Sequence, residues 1–271
     1  LNLTTGTNNV ALGRDALETV TDVSNQVAVG FKALEANTSG GNNTALGYST
    51  LLVNTTGNDN TAVGKGALDA NTTADNNTAV GSSALSANTT GTSNTALGHA
   101  AATSVTTAND ITAIGKSACL LNTTGLGNTA VGSACLRNNV TGNYNTGVGV
   151  NALNAVTGTG NTGIGAFALD VVTSGIYNVA LGYSALGANT TASNNTAIGY
   201  NALLSCTTGT NNVAVGRQAL DASTTASDNT AIGSAALTNA TGNQNTAVGS
   251  DALLANTSGT DNVAVGYSAL R

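Results

Sequence analysis

Apolar and polar residues alternate in short bursts along this chain, and each burst closes on a glycine. Asn77-Thr78-Ala79-Val80-Gly81 is one such burst; it is followed by Ala84-Leu85 and then by Asn88-Thr89-Thr90-Gly91. The closing glycines fall at positions 13, 30, 47, 64, 81, 98, 115, 132, 149, 165, 182, 199, 216, 233, 249 and 266, giving sixteen copies spaced seventeen residues apart thirteen times and sixteen residues apart twice. The position before the glycine is always Val, Leu or Ile, the one before that Ala or Gly, and the one before that Val or Thr. Period-two alternation with β-branched enrichment predicts a short strand in every copy. One strand face carries the Thr/Val and aliphatic pair and the other carries Asn, Ala and Gly. Hydrophobicity predicts that the aliphatic pair faces the interior. The small-residue face is then left outward, as a seam between chains or a flat ligand surface. The Ala-Leu pair after each glycine predicts a second short extended segment whose leucine is a further apolar plug, and Asn-Thr-Thr-Gly predicts a turn. Both sixteen-residue copies lose their residue in this turn.

A fixed short period means that each unit contacts only its neighbours. The expected fold is therefore all-β, a parallel β-roll or β-solenoid of about sixteen 16–17-residue rungs, with residues 1–271 forming a single repeat array. Rungs about 4.8 Å apart would build a rod of roughly 75 Å, along which Asn at equal positions can form an amide ladder. The start at Leu1-Asn2-Leu3-Thr4, inside a turn segment, reads as a window cut from a longer fibre protein. A lone coil this thin has little core, so several chains are expected to pack together.

Composition narrows the function classes. Charged residues are 7% of the chain, against roughly 25% in ordinary domains. The absence of Pro suits an uninterrupted hydrogen-bonded ladder. A net charge of −6 with no basic stripe argues against nucleic acid. No apolar run approaches the roughly 18 residues that span a bilayer, so no membrane insertion is expected in this segment. Cys119, Cys135 and Cys206 lie four, three and seven residues after their glycines. Neighbouring strand positions face opposite ways, which disfavours a Cys119–Cys135 disulfide.

Asn-Thr-Ala-Val-Gly-x-x-Ala-Leu, repeated from Asn9 to Leu270, resembles the head repeats of YadA-like trimeric autotransporter adhesins. It is also similar to the repeat arrays of phage and bacterial proteins that carry tail-fibre-type domains. The Ala-Leu-x-x-Asn-Thr-Thr-Gly half makes this repeat longer than the adhesin one. The resemblance implies a left-handed roll, a homotrimer around one axis, and a place on the virion surface or tail fibre or on a bacterial cell surface.

The candidate binding surface is the column directly after each glycine. It holds Tyr48, Lys65, His99, Lys116, Tyr183, Tyr200, Arg217 and Tyr267, with Arg14 and Phe31. Aromatic and cationic groups in a row can stack on sugar rings or meet another chain. The partners expected are thus a second and third copy of the chain, surface glycans, or a host receptor. The single histidine, His99, has no partner for a catalytic triad, and no metal-ligand spacing or cofactor motif is present. Glu18, Glu35, Asp69, Asp170 and Asp221 fall five residues after their glycines, and Asp59, Asp110, Asp228 and Asp261 five before; both sets read as solvated turn charges. The Asn-x-Thr/Ser matches at Asn37, Asn54, Asn71, Asn88, Asn122, Asn189 and Asn256 coincide with the turn and read as turn chemistry rather than glycan acceptors. A structural or adhesive fibre segment, with no enzymatic role, is the expected function. The alternative is an ice-binding or other flat-face β-solenoid, since threonines recur at one strand position.

Overall fold

A computed structural model describes residues 5–20 and 22–271. Leu1 to Thr4 and Thr21, both within expected turns, lie outside the described residues. The chain is an all-β parallel solenoid divided into two compact units, Leu1–Thr141 and Gly142–Arg271. The first unit carries eight three-residue strands from β1 (Val10–Leu12) to β8 (Thr129–Val131), and the second eight more from β9 (Thr146–Val148) to β16 (Val263–Val265). Within a unit each strand pairs in parallel with the next copy of itself, as in Thr61↔Thr78, Ala62↔Ala79 and Val63↔Val80.

The strand is oriented opposite to the hydrophobic expectation. Its central alanine is fully buried in most rungs, whereas the flanking residues are half-buried or exposed: Leu12 is 66%, Leu46 45%, Leu97 47%, Leu181 45% and Ile164 38% exposed. The aliphatic column therefore points outward, and the Ala/Asn/Gly face forms the core. A loop of about seventeen residues encloses too little volume for a Val or Ile there once its other inward groups are in place. Those groups are the strand alanine, the Ala-Leu pair and two asparagines, as with Ala79, Ala84, Leu85, Asn77 and Asn88, all fully buried.

The second extended segment is also absent. The residues after each glycine form consecutive tight turns, with left-handed φ at the second position (Ser83, 57°) and again at the leucine (Leu85, 50°). Leucine rarely adopts this conformation, which costs roughly 1–2 kcal/mol. It is offset here by complete burial of the side chain and by hydrogen bonds between rungs, such as Leu68 N–H to Ala84 O at 3.1 Å. Because the chain is turning, consecutive residues both point inward. Cys119 and Cys135 consequently share the interior, Cys119 N–H donating to Cys135 O at 3.0 Å, and the opposite-face reasoning does not apply to them; all three cysteines are buried free thiols. The closing glycines have φ between 125° and 142°, and a Cβ on Gly81 would stand 2.3 Å from Gly98 O. No other residue fits that column.

The expected amide ladder exists, twice, and inside the core. Four residues before the glycine, Asn43 Oδ1 accepts from Asn60 N–H at 3.0 Å, while Asn60 Nδ2 donates to Ala74 O at 2.8 Å. Seven residues after it, Asn54 Nδ2 donates to Asn37 Oδ1 and Asn71 Nδ2 to Asn54 Oδ1, at 3.2 and 2.8 Å. Where a column is interrupted, an acceptor is stranded. Asn88 faces Val105 in the next rung and Asn189 faces Cys206, and the Oδ1 of each asparagine is buried without a partner. The sixteen-residue rungs shorten only the turn: Asn145 Nδ2 reaches Gly158 O at 2.9 Å, thirteen residues away instead of fourteen, and β9 still pairs in register with β10 (Thr162–Ile164).

Two outcomes follow from this inversion of the strand. Leu169→Ala should cost about 2–5 kcal/mol in denaturant unfolding, while Ile164→Asp should leave the far-UV circular dichroism spectrum intact; collapse of the Ile164 variant alone would return the aliphatic column to the interior. Val105→Asn and Cys206→Asn should each stabilise the fold by about 1 kcal/mol by giving the stranded Oδ1 a donor, read as an upward shift in the denaturation midpoint.

Candidate functional site

The column after the glycine is held in register by the backbone. The carbonyl of a member accepts the N–H two residues after the next closing glycine: Ser49 N–H to Phe31 O, Gly66 N–H to Tyr48 O and Ser83 N–H to Lys65 O, each at 2.9 Å. Successive side chains are thereby brought within stacking distance on the outside of the coil. Tyr48, Tyr183, Tyr200 and Tyr267 are about half exposed or more, and Lys65, His99, Lys116 and Arg217 are exposed.

The structure joins some of these residues and separates others. In the first unit the Phe31 and Tyr48 rings stack with centroids 5.1 Å apart, the Arg14 guanidinium lies over the Phe31 ring 4.5 Å from its centroid, and Lys65 Nζ lies 6.0 Å from the Tyr48 centroid. In the second unit Tyr183 stacks on Tyr200 and meets Phe167 edge-on, both at 5.7 Å. The two stacked pairs, Phe31–Tyr48 and Tyr183–Tyr200, cover one another's faces, which leaves mainly their ring edges for a sugar. His99, Lys116, Arg217 and Tyr267 join neither cluster. Lys116 instead borders a shallow hollow of about 210 Å³ with Ser133 and Arg137.

The turn acids divide into two kinds. Asp59 and Asp228 are exposed, and each accepts an Nδ2–H from the preceding rung, from Asn42 and Asn211, at 3.0 Å. Asp69, Asp170 and Asp221 are half-buried, and desolvation raises all three carboxyls above the ordinary aspartate range. The reading of solvated charges holds for the first kind and not for the second. Glu35 differs again: it forms an ion pair with Lys32 Nζ at 2.6 Å, and that hydrogen bond raises the lysine. Burial pushes the Cys135 thiol up to about 12 and the Cys206 thiol to about 11, so neither is a thiolate at neutral pH.

Among the described residues no three His, Cys, Asp or Glu side chains are grouped to hold a metal ion. Asn37, Asn54, Asn71, Asn88, Asn122 and Asn189 are fully buried, which leaves no room for a glycan on their amides. What sequence reading missed is a hollow of about 390 Å³ beside Gly187, bordered by Phe167, Asp170, Tyr183 and Leu204. Its signal was present: Gly187 is a glycine at the position, five after the closing glycine, where neighbouring rungs carry Asp170 and Leu204. No family model matches the chain, and no curated protein matches it.

The raised carboxyls set the sign of the pH dependence. An aspartate whose folded pKa lies above its unfolded value penalises the fold when ionised, and the penalty disappears as pH falls through the folded pKa. Asp69→Asn should therefore raise the melting temperature at neutral pH and lose that advantage on acidification into the carboxylate range; a difference that grows toward acid would contradict the desolvation account.

Proposed function

We propose that this chain is a structural fibre segment whose copies pack through the strand face, most simply as a homotrimer with the three sheet faces turned toward a common axis. The observation that carries this reading is the outward aliphatic column. In each unit, eight successive rungs add a Val, Leu or Ile to one flat face, next to a parallel column of Thr and Val. Monomeric proteins seldom expose an apolar surface that extends this far in one direction. Every rung presents the same face, so identical copies offer matching surfaces, and rotational symmetry closes them without exposed remainder. The area buried grows with the number of rungs, which compensates for the thin core of a single coil. The sparse charge fits a molecule whose task is extension and attachment. A virion tail fibre or a bacterial surface adhesin is the setting this reading suggests, with a host receptor or surface glycans met by the exposed turns.

A second reading draws on the same face. Thr44, Thr61, Thr78 and Thr95 donate to no protein acceptor among the described residues, whereas Thr38 and Thr55, in the turn, donate to Thr55 O and Thr72 O at 3.0 Å. Free hydroxyls about 4.8 Å apart along the stack, with methyl groups beside them, form a regular hydration template of the kind an ice-binding solenoid needs.

Light scattering separates the two. The fibre reading expects a mass of three chains, reduced to one chain by Ile164→Asp combined with Leu181→Asp while circular dichroism is retained. A monomeric wild-type chain with thermal hysteresis would replace the fibre reading with the second.

A further inference from the structure

The two aromatic clusters differ in one respect that carries chemical meaning. In the first, the rings are served by cations of the chain itself. Arg14 lies over Phe31, and Lys32 Nζ stands 5.7 Å from the same ring while bonded to Glu35 at 2.6 Å. Lys32 and Glu35 are two and five residues after Gly30; Phe167 and Asp170 are two and five residues after Gly165. The second cluster therefore has a ring where the first has its ammonium, and keeps the carboxylate. Among the described residues Asp170 has no ion pair: Asn154 serves its carboxylate, and its Oδ1 is buried without a partner. Among the described residues no ring–cation contact is made by Phe167, Tyr183 or Tyr200.

The missing volume lies in the same place. Gly187 follows Asp170 in the next rung and Leu204 follows Gly187, and the absent side chain leaves the hollow of about 390 Å³ between them. A Cβ at Gly187 would come 3.1 Å from both Leu204 Cδ1 and Ser184 O, so a larger residue would enter the space by displacing Leu204, while the φ there is not one that demands glycine. An aromatic corner with Phe167 and Tyr183 at 69°, an aliphatic floor from Leu204 and a carboxylate with no ion pair among the described residues are the elements that recognise an organic cation.

We propose that the hollow between Phe167, Asp170, Tyr183 and Gly187 binds an organic ammonium ion, in the manner in which Phe31 and Glu35 hold Lys32. The cation sits against the ring faces and edges, and its charge answers Asp170. Desolvation of Asp170 strengthens this attraction, because the carboxylate gives up little water when the ligand arrives. The site is built from the turn after the glycine and not from the strand face, so it does not depend on the fibre reading.

Calorimetric titration of the full chain with choline chloride, at constant ionic strength, tests it. Saturable binding is expected, weakened by about tenfold in Asp170→Asn and for the neutral isostere 3,3-dimethylbutan-1-ol. Gly187→Asn, which places there the side chain that Asn154 carries at the same position, should abolish it; Gly187→Ser, after Ser86, is the milder variant if the first unfolds by circular dichroism. Cosedimentation with phosphatidylcholine vesicles that is lost in the Gly187 variant would assign a lipid headgroup as the source, and choline binding alone a free ion. Absence of saturable binding, equal affinity for the neutral isostere, or binding unchanged by the folded Gly187 variant would overturn the proposal.

Discussion

Everything in this fold depends on each residue lying over its own copy in the rung before. Most backbone hydrogen bonds run between rungs, not within them, so a position is occupied by a column of like residues rather than by a single one. A column admits only side chains that tolerate themselves as neighbours. Asparagine does so because its amide donates on one side and accepts on the other. Leucine and alanine do so by packing, and glycine because nothing else leaves room. A buried charge cannot, since like charges about 4.8 Å apart repel in a medium that screens them poorly. The low charge content is thus a consequence of the stacking, and most of the charges that remain sit in turns.

The columns also explain where polar burial goes wrong. Replacing one asparagine in a ladder by Val105 or Cys206 leaves the previous amide oxygen without a donor. Gln26, one methylene longer than its neighbours in the other ladder, leaves its own Oε1 unpaired in the core. Each interruption is local, because the next intact pair of rungs restores the pattern. A solenoid can therefore carry isolated exceptions at modest cost. Exceptions on its outside, such as the gap at Gly187, are where a specific contact can be placed without disturbing the rest.

The outward face is the other consequence of a narrow core. With the interior filled by Ala, Leu and Asn, the β-branched and aliphatic residues that stiffen the strand have nowhere to go but out. They make a flat apolar sheet surface with a period fixed by the backbone, equally suited to meeting another copy or to ordering water. The aromatic and cationic column lies after the glycine, away from that face, and is divided by serine-bearing rungs into short clusters. Those clusters stack internally, which accounts for why a residue column that looks like a sugar platform on paper presents edges more than faces.

The period, the number of rungs, the in-register parallel pairing and the turn that absorbs deletions were all legible in the sequence, because each follows from repetition alone. Which face of the strand turns inward was not. Alternation defines two faces, and ranking them by hydrophobicity places Val80 and Ile164 inside; only the closed loop, with its fixed small cross-section, gives the interior to Ala79 and Asn77. The left-handed turns at Ser83 and Leu85 were equally hidden, since no local propensity favours leucine there, and it is the burial gained across rungs that compels it. The hollow at Gly187 likewise required three dimensions, because Asp170, Gly187 and Leu204 stand about seventeen residues apart in sequence and become neighbours only when the rungs are stacked.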